Sequence, residues 1–368
     1  MRLGFFLFNY FPYGGLQRDF LRIAEICHAR GHEIHVFCLK WQGDRPSWIN
    51  LHIVATNAWQ NHTQALQFAN AIAELLKLHA IDRSIGFNKL PHLDFYYAAD
   101  VCYQARIKEL KPWYYPLLPR YRVWRELEAS VFSVTAATEI LLIAPTQQAI
   151  YTKFYHTPKT RFHLLPPGIS RDRIAPANAP EIRHKLRQQF QIDDNQKVLL
   201  LIASAFKTKG LDRALQALAQ VKHDSVLWVI GADAAQPYHN LIRRLDLTAK
   251  VKFFGPQQEI LPYLLAADVL IHPAYHENTG TVLLEALTAG LPVLTTANCG
   301  YAPYITQAQA GIVIDHPFRQ QALNESLNAL LGQNLEQLKH NALTFTQQAD
   351  IYAMPEKAAN IILAGRSL

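Results

Sequence analysis

The stretch His272-Pro273-Ala274-Tyr275-His276-Glu277-Asn278-Thr279-Gly280-Thr281-Val282-Leu283-Leu284-Glu285 carries the residues best suited to chemistry. It reads as strand, Gly-containing loop and helix, with one carboxylate in the loop and a second inside the helix. A helix that begins near Gly280 and Thr281 presents N–H groups without intrahelical partners and the positive end of its dipole, which suits a diphosphate. Glu285 stands between Val282-Leu283-Leu284 and Ala286-Leu287, where a solvated carboxylate is out of place. A carboxylate there accepts two hydrogen bonds from a vicinal diol such as O2 and O3 of a ribose. Taken alone, Glu277 and Glu285 are equally well an exposed loop acid and a helix-surface acid.

Such residues need a framework of strands and helices to hold them. In the second half, apolar strands over 198–203, 226–230, 251–254, 269–273 and 292–296 alternate with helices over 211–221, 238–245, 260–266 and 281–289. Short, wholly apolar strands between amphipathic helices predict a parallel sheet covered on both faces. The first half opens with a strand over 3–8, an aromatic Gly loop over 9–15, a helix over 16–30 ending at Gly31, and a strand over 34–39, a βαβ unit. A helix over 65–79 and strands over 84–87 and 139–144 continue it. The expected fold is α/β, two doubly wound Rossmann-like domains facing each other across a cleft, with ligands outside the carboxyl ends of the strands. Pro166, Pro167, Pro176 and Pro180 place a junction within 165–180. The domains are therefore taken as 1–168 and 169–348, followed by a terminal segment 349–368.

Composition narrows the function classes. With 368 residues, 50% hydrophobic and 18% charged, the chain can bury two cores and is neither disordered nor fibrous. The 4 cysteines are scattered without a CxxC pair, so no disulfide framework or structural zinc is expected and a reducing compartment is the natural setting. None of the 16 histidines is assigned as a metal ligand. The aromatic amino terminus with Pro12 lacks the cleavage site of a signal peptide, and no apolar run is long enough to span a membrane. No Asp-x-Asp occurs, so a metal–diphosphate clamp lacks its usual ligands and metal-independent chemistry, with no cofactor, is expected.

The net charge of +7 is concentrated in one block, where Arg106, Lys108, Lys111, Arg120, Arg122 and Arg125 face Glu109 alone between 106 and 125. Trp113, Tyr114, Tyr115, Tyr121 and Trp124 are interleaved with them. Cations among interfacial aromatics suit an anionic membrane surface, and this is preferred over a solvated basic face or a nucleic-acid patch. In the first loop, Gly14-Gly15 lacks a GxGxxG fingerprint and is either a close-approach point for a ligand or a plain loop-to-helix turn. Asp19, one turn into the helix, can bind an acceptor hydroxyl or answer the helix dipole. Asp100, after an apolar-aromatic run, is either a contact to the reacting sugars or a turn carboxylate.

The Glu277 to Glu285 spacing resembles the Glu-x7-Glu motif of family 4 glycosyltransferases, retaining enzymes of GT-B fold. Lys209-Gly210 after an apolar strand, Val229-Ile230-Gly231, Phe254-Gly255, Ala267-Asp268 through Pro273, and Gly311 to Ile314 agree with it in order. Within that family the chain is similar to the lipopolysaccharide core glucosyltransferase I group. Tyr10 to Phe20, Gly86 to Lys89, Ala98 to Tyr103, Leu165 to Ile169, Asp172-Arg173, Ala289 to Ala302 and Tyr352 to Ala359 carry this resemblance across the whole chain.

The resemblance implies transfer of glucose from UDP-glucose to an inner-core heptose of lipopolysaccharide, with retention, by an enzyme peripheral to the cytoplasmic face of the inner membrane. It also implies that Glu285 holds the ribose, Glu277 faces the donor sugar, Lys209 and Arg173 bind the diphosphate, and the departing phosphate takes the acceptor proton. The terminal helix is expected to cross back to the first domain. One departure stands at the phosphate site: Thr208 occupies the position of an Arg. Either Lys207 supplies the second charge, without the fork of a guanidinium, or Arg173 suffices. UDP-galactose or UDP-N-acetylglucosamine as donor, or a non-catalytic nucleotide-sugar-binding protein, are the rival readings.

Overall fold

The structure is a computed structural model that describes residues 1–12 and 14–364, apart from the side chain of Leu110. Tyr13, in the first-loop stretch, and 365–368, in the terminal segment, lie outside the described residues. The chain divides into two units: Met1–Gly168 joined by the terminal helix Met354–Ala364, and Ile169–Tyr352.

In the first unit seven strands, β1 (Arg2–Tyr10), β2 (Glu33–Trp41), β3 (Ile49–Ile53), β4 (Arg83–Gly86), β5 (Phe95–Ala98), β6 (Glu139–Leu142) and β7 (Phe162–Leu164), pair in the order β3-β2-β1-β4-β5-β6-β7, all parallel. Alternation in β1 explains the two-sided cover. Leu3, Phe5 and Leu7 pack with Phe20, Ile23 and Cys27 of helix Gly15–Ala29, whereas Phe6 packs with Phe68 and Ile72 of helix Asn61–Leu78. Both faces are therefore apolar and the strand shows no polar face. The terminal helix contributes Met354, Ala358, Ala359 and Ile362 to the first of these cores. Arg83 donates to the carbonyls of Ile362 and Leu363 at 2.6 and 3.0 Å, satisfying acceptors that the helix end leaves open.

In the second unit β8 (Lys197–Ile202), β9 (Ser225–Ile230), β10 (Val251–Gly255), β11 (Val269–His272), β12 (Val293–Thr296) and β13 (Gly311–Ile314) form a parallel sheet of order β10-β9-β8-β11-β12-β13. Val198 and Leu200 face one core while Leu199 and Leu201 face the other. Asp268 pins helix Ala179–Gln189 to this sheet: its carboxylate accepts from Arg183 at 2.7 Å, Arg187 at 3.2 Å and the Val198 N–H at 2.7 Å. Both sheets reverse their winding at one point, between β1 and β4 and between β8 and β11. Ligands of doubly wound sheets bind beside such a point, outside the carboxyl ends of the strands. The loops there are 11–14 after β1, 203–210 after β8 and 273–280 after β11.

The doubly wound α/β architecture expected from the sequence is the one adopted. Differences are local. Asn9 and Tyr10 extend β1 and Gly15 opens the helix, so the first loop is shorter than 9–15. The helix expected over 211–221 stops at Leu218, and that over 238–245 is a 3-10 turn followed by His239–Arg244. Strands β3, β5 and β7 and helices Tyr103–Leu110 and Pro119–Phe132 were not anticipated. The 4 cysteines are buried free thiols.

Candidate active site

The loop after β11 is held from both sides. Tyr275 N–H donates to the Thr208 carbonyl at 2.9 Å, and the Tyr301 N–H donates to the Thr279 carbonyl at 2.7 Å. Thr295 and Thr296, at the end of β12, donate to the carbonyls of His272 and Ala274, both at 3.0 Å. Glycine is needed where backbones come closest. At Gly210, φ is +78° and a Cβ would lie 2.2 Å from the Pro273 carbonyl oxygen, so no other residue fits without moving the loop. These contacts bring the 203–210 and 273–280 loops together.

Within that frame Lys209 Nζ contacts Glu277 Oε2, and the same oxygen lies 3.3 Å from His272 Nε2. Burial alone raises the Glu277 carboxyl, but the hydrogen bond to His272 and the Lys209 charge outweigh it and hold the group at about 2. Burial likewise opposes the His272 imidazolium, yet Cys299 and Glu277 raise it to about 9. The site thus contains an ionised carboxylate between two cations at neutral pH. Gly280, with φ +81°, precedes helix Thr281–Thr288, and no side chain caps that helix. Its first N–H groups have no partners within the helix, and the Glu277 side chain lies against Gly280 at its start.

Glu285 is only 5% exposed, on the same helix, and Arg173 Nε lies 3.8 Å from its Oε1. Thr288 ties the two segments by donating to the Arg173 carbonyl at 3.1 Å. Thr281 is half-buried and Lys207 is exposed. The structure therefore brings Lys209 to Glu277 and Arg173 to Glu285, with Gly280 and Thr281 between the two carboxylates in sequence.

The remaining candidates lie in the first unit. Gly14 is the residue before helix Gly15–Ala29, and the space a Cβ of Gly15 would occupy has no atom within 4 Å. Asp19 is half-buried and accepts from the Tyr97 hydroxyl at 2.7 Å. Asp100 has an exposed side chain two residues beyond β5, and its carbonyl accepts from Tyr151 at 3.0 Å. Tyr97 and Asp100 thus flank the carboxyl end of β5. All six cations of the basic block are exposed, as are Trp113 at 86%, Tyr114, Leu117 and Leu118. No helix among the described residues is long and apolar enough to cross a membrane.

Two residues of the site, Arg213 and His272, escaped the sequence reading. Arg213 is buried between the rings of Tyr275 and Phe318, 3.4 and 3.6 Å from their centroids, and donates to the Pro273 and Ala274 carbonyls at 3.1 and 3.2 Å. Tyr275 in turn donates to Asp212 at 2.8 Å. His272 buttresses Glu277. The signals were present: a cation between Leu211 and Ala214 on a core-facing turn, and a polar residue ending an otherwise apolar strand, each demand a buried partner.

Comparison with known proteins shows the family and the fold. The family model "Glycosyl transferases group 1" matches residues 182–355, which contain Lys209, Glu277 and Glu285. The lipopolysaccharide glucosyltransferase WaaG of Escherichia coli (strain K12) is 42% identical, with 99% of each chain covered. The crystal structure of WaaG, a glycosyltransferase involved in lipopolysaccharide biosynthesis, superposes with a TM-score of 0.93 over 99% of this chain and 100% of the other. A sucrose-phosphate synthase from Thermosynechococcus elongatus, at 15% identity, shares the fold with a TM-score of 0.79 over 98% and 97% of the two chains. With paired Rossmann-like units of GT-B type and a full-length relative at that identity, the chain belongs to the lipopolysaccharide glucosyltransferases of the group 1 glycosyl transferases.

Proposed function

We propose that this glycosyltransferase moves glucose from UDP-glucose to an inner-core heptose of lipopolysaccharide, with retention at the anomeric carbon and without a metal. The observation that carries the proposal is the Lys209–Glu277–His272 contact set beside an uncapped helix start, with Glu285 buried one helix turn further on. Glu285 accepts the ribose hydroxyls and Glu277 accepts hydroxyls of the donor sugar. Lys209, Arg173 and the N–H groups at Gly280 and Thr281 face the diphosphate, where negative charge develops as the bond from C1 to the phosphate oxygen breaks. Fixed cations and dipoles stabilise that charge without reorganising. The acceptor oxygen bonds to C1 and its proton passes to the departing phosphate, so no protein base is required. Asp19 and Asp100 contact the acceptor side, where Gly15 leaves open space and the Gln17 side chain packs against Gly14. With Lys207 exposed, Arg173 supplies the second diphosphate charge in place of the Arg replaced by Thr208.

The exposed block of six cations with Trp113, Tyr114, Leu117 and Leu118 supports a peripheral enzyme on the cytoplasmic face of the inner membrane, where an anionic glycolipid acceptor is presented. The test is turnover of a panel of UDP-sugars with truncated lipopolysaccharide ending in inner-core heptose, in EDTA. Glucose transfer supports donor, acceptor and metal independence together. Transfer of galactose or N-acetylglucosamine overturns the donor, activity only after a metal is restored overturns metal independence, and no transfer from any donor favours a binding protein.

A further inference from the structure

We propose that His35, His52 and His79 form a binding site for one zinc-class transition-metal ion, separate from the sugar-transfer site. The three residues are far apart in sequence and the fold assembles them. In the β2–β3 register Phe37 pairs with His52, and His35 lies two residues before Phe37 on the same face of the sheet. That face is covered by helix Asn61–Leu78, and His79 is the residue that ends this helix. One ring nitrogen from each histidine comes within 4.8 Å of the others. His35 is buried, while His52 and His79 are half-buried and leave a way in from solvent.

The hydrogen bonding sets the chemistry of the cluster. His35 Nε2 lies 2.9 Å from Glu33 Oε1, and a carboxylate only accepts, so Nε2 carries the hydrogen. The other ring nitrogen, Nδ1, faces His52 Nε2, 3.0 Å away. A carboxylate behind one ring nitrogen with the other nitrogen facing inward is the arrangement that orients metal-ligating histidines. Nitrogens on a tetrahedral zinc ion, bonded at about 2.0–2.1 Å, stand about 3.3 Å apart, close to the 3.0 Å between His35 Nδ1 and His52 Nε2. A set of three imidazoles with no carboxylate in it selects zinc or its neighbours over calcium or magnesium.

The location assigns a structural role. His35 and the residue after the helix lie toward the amino ends of the strands, away from the loops at their carboxyl ends. β3 is an edge strand paired only with β2, so an ion here ties that edge to the helix covering it.

The test uses the tag-free full chain, stripped with chelator and dialysed, and titrated with Zn²⁺ and with Co²⁺. The expected result is one Zn²⁺ per chain and, with Co²⁺, the visible absorption of a four-coordinate site. His52→Ala and His79→Gln each weaken binding at least 100-fold, and Glu33→Gln weakens it about 10-fold while keeping the ligands. Glucosyl transfer stays unchanged in the variants. His79→Gln, at a helix end, serves where His52→Ala fails to fold. Absence of binding, or binding that survives both ligand substitutions, overturns the proposal.

Discussion

Glu277 meets two cations on a single oxygen: Oε2 contacts the Lys209 ammonium and lies 3.3 Å from His272 Nε2. A donor phosphate that draws Lys209 toward itself leaves Glu277 still charged and still oriented by His272.

This arrangement has a pH signature. His272 is raised from 6.5 to about 9, so its contribution to stability is full below 6.5 and is lost as pH rises through 9. Glu277 is lowered from 4.5 to about 2, so its contribution is present above 4.5 and is lost as pH falls through 2. Wild-type kcat/KM is expected to fall on the alkaline side near pH 9, and His272→Gln to lack that limb. A pH profile of both proteins between 6 and 10 decides it, and an unchanged alkaline limb in the variant removes His272 from the account.

Glu285 is expected to act on binding rather than on the chemical step. Glu285→Gln keeps the shape of the side chain but loses the charged acceptor for a diol, a change of about 1.5–3 kcal/mol. UDP affinity, measured by calorimetry, should fall on the order of 10–100-fold. Equal affinities for wild type and variant would falsify the ribose assignment.

Glu128 makes a stability prediction for the first unit. It is fully buried and accepts from Lys89 Nζ at 2.6 Å, the Tyr103 and Gln104 N–H groups at 2.6 and 3.0 Å and the Tyr155 hydroxyl at 2.6 Å. These bonds anchor the start of helix Tyr103–Leu110, three residues after Asp100. Removing one partner of a buried ion pair costs about 3–5 kcal/mol, and Glu128→Ala should lower Tm by about 10 °C. Calorimetric melting checks it, and a Tm within two or so degrees of wild type contradicts it.

The sequence exposed the architecture more fully than the site. Strands such as 198–203 were legible because a sheet covered on both faces makes them continuously apolar. β5 and β7 were not, since four and three residues are too few to show a period. Helix Pro119–Phe132 was obscured by the cations and aromatics that drew attention to the block as a surface. Glu285 stood out because an acid amid leucines is anomalous, and Glu277 because it lies in a Gly-containing loop between a strand and the helix that carries Glu285. Arg213 and His272 did not, because their partners are main-chain carbonyls, rings and a loop acid that only the fold brings near. The histidine cluster was invisible for the same reason, as its members lie on two strands and a helix end.

The basic block makes a prediction of its own. Each cation near an anionic surface contributes about 1 kcal/mol, so reversing nothing but neutralising Arg120, Arg122 and Arg125 to Gln should weaken vesicle binding on the order of 100-fold. Sedimentation with phosphatidylglycerol vesicles should also show binding that declines with salt. Salt-independent binding, or no difference between the proteins, rules out the block as the membrane contact.

The most direct test of the central claim is the rate of glucose transfer from UDP-glucose to heptose-terminated lipopolysaccharide by Lys209→Ala beside wild type. The account predicts a loss of about 100–1,000-fold in kcat, the scale on which one fixed group opposite developing charge acts. Turnover by Lys209→Ala equal to wild type would contradict it and take the diphosphate away from this loop.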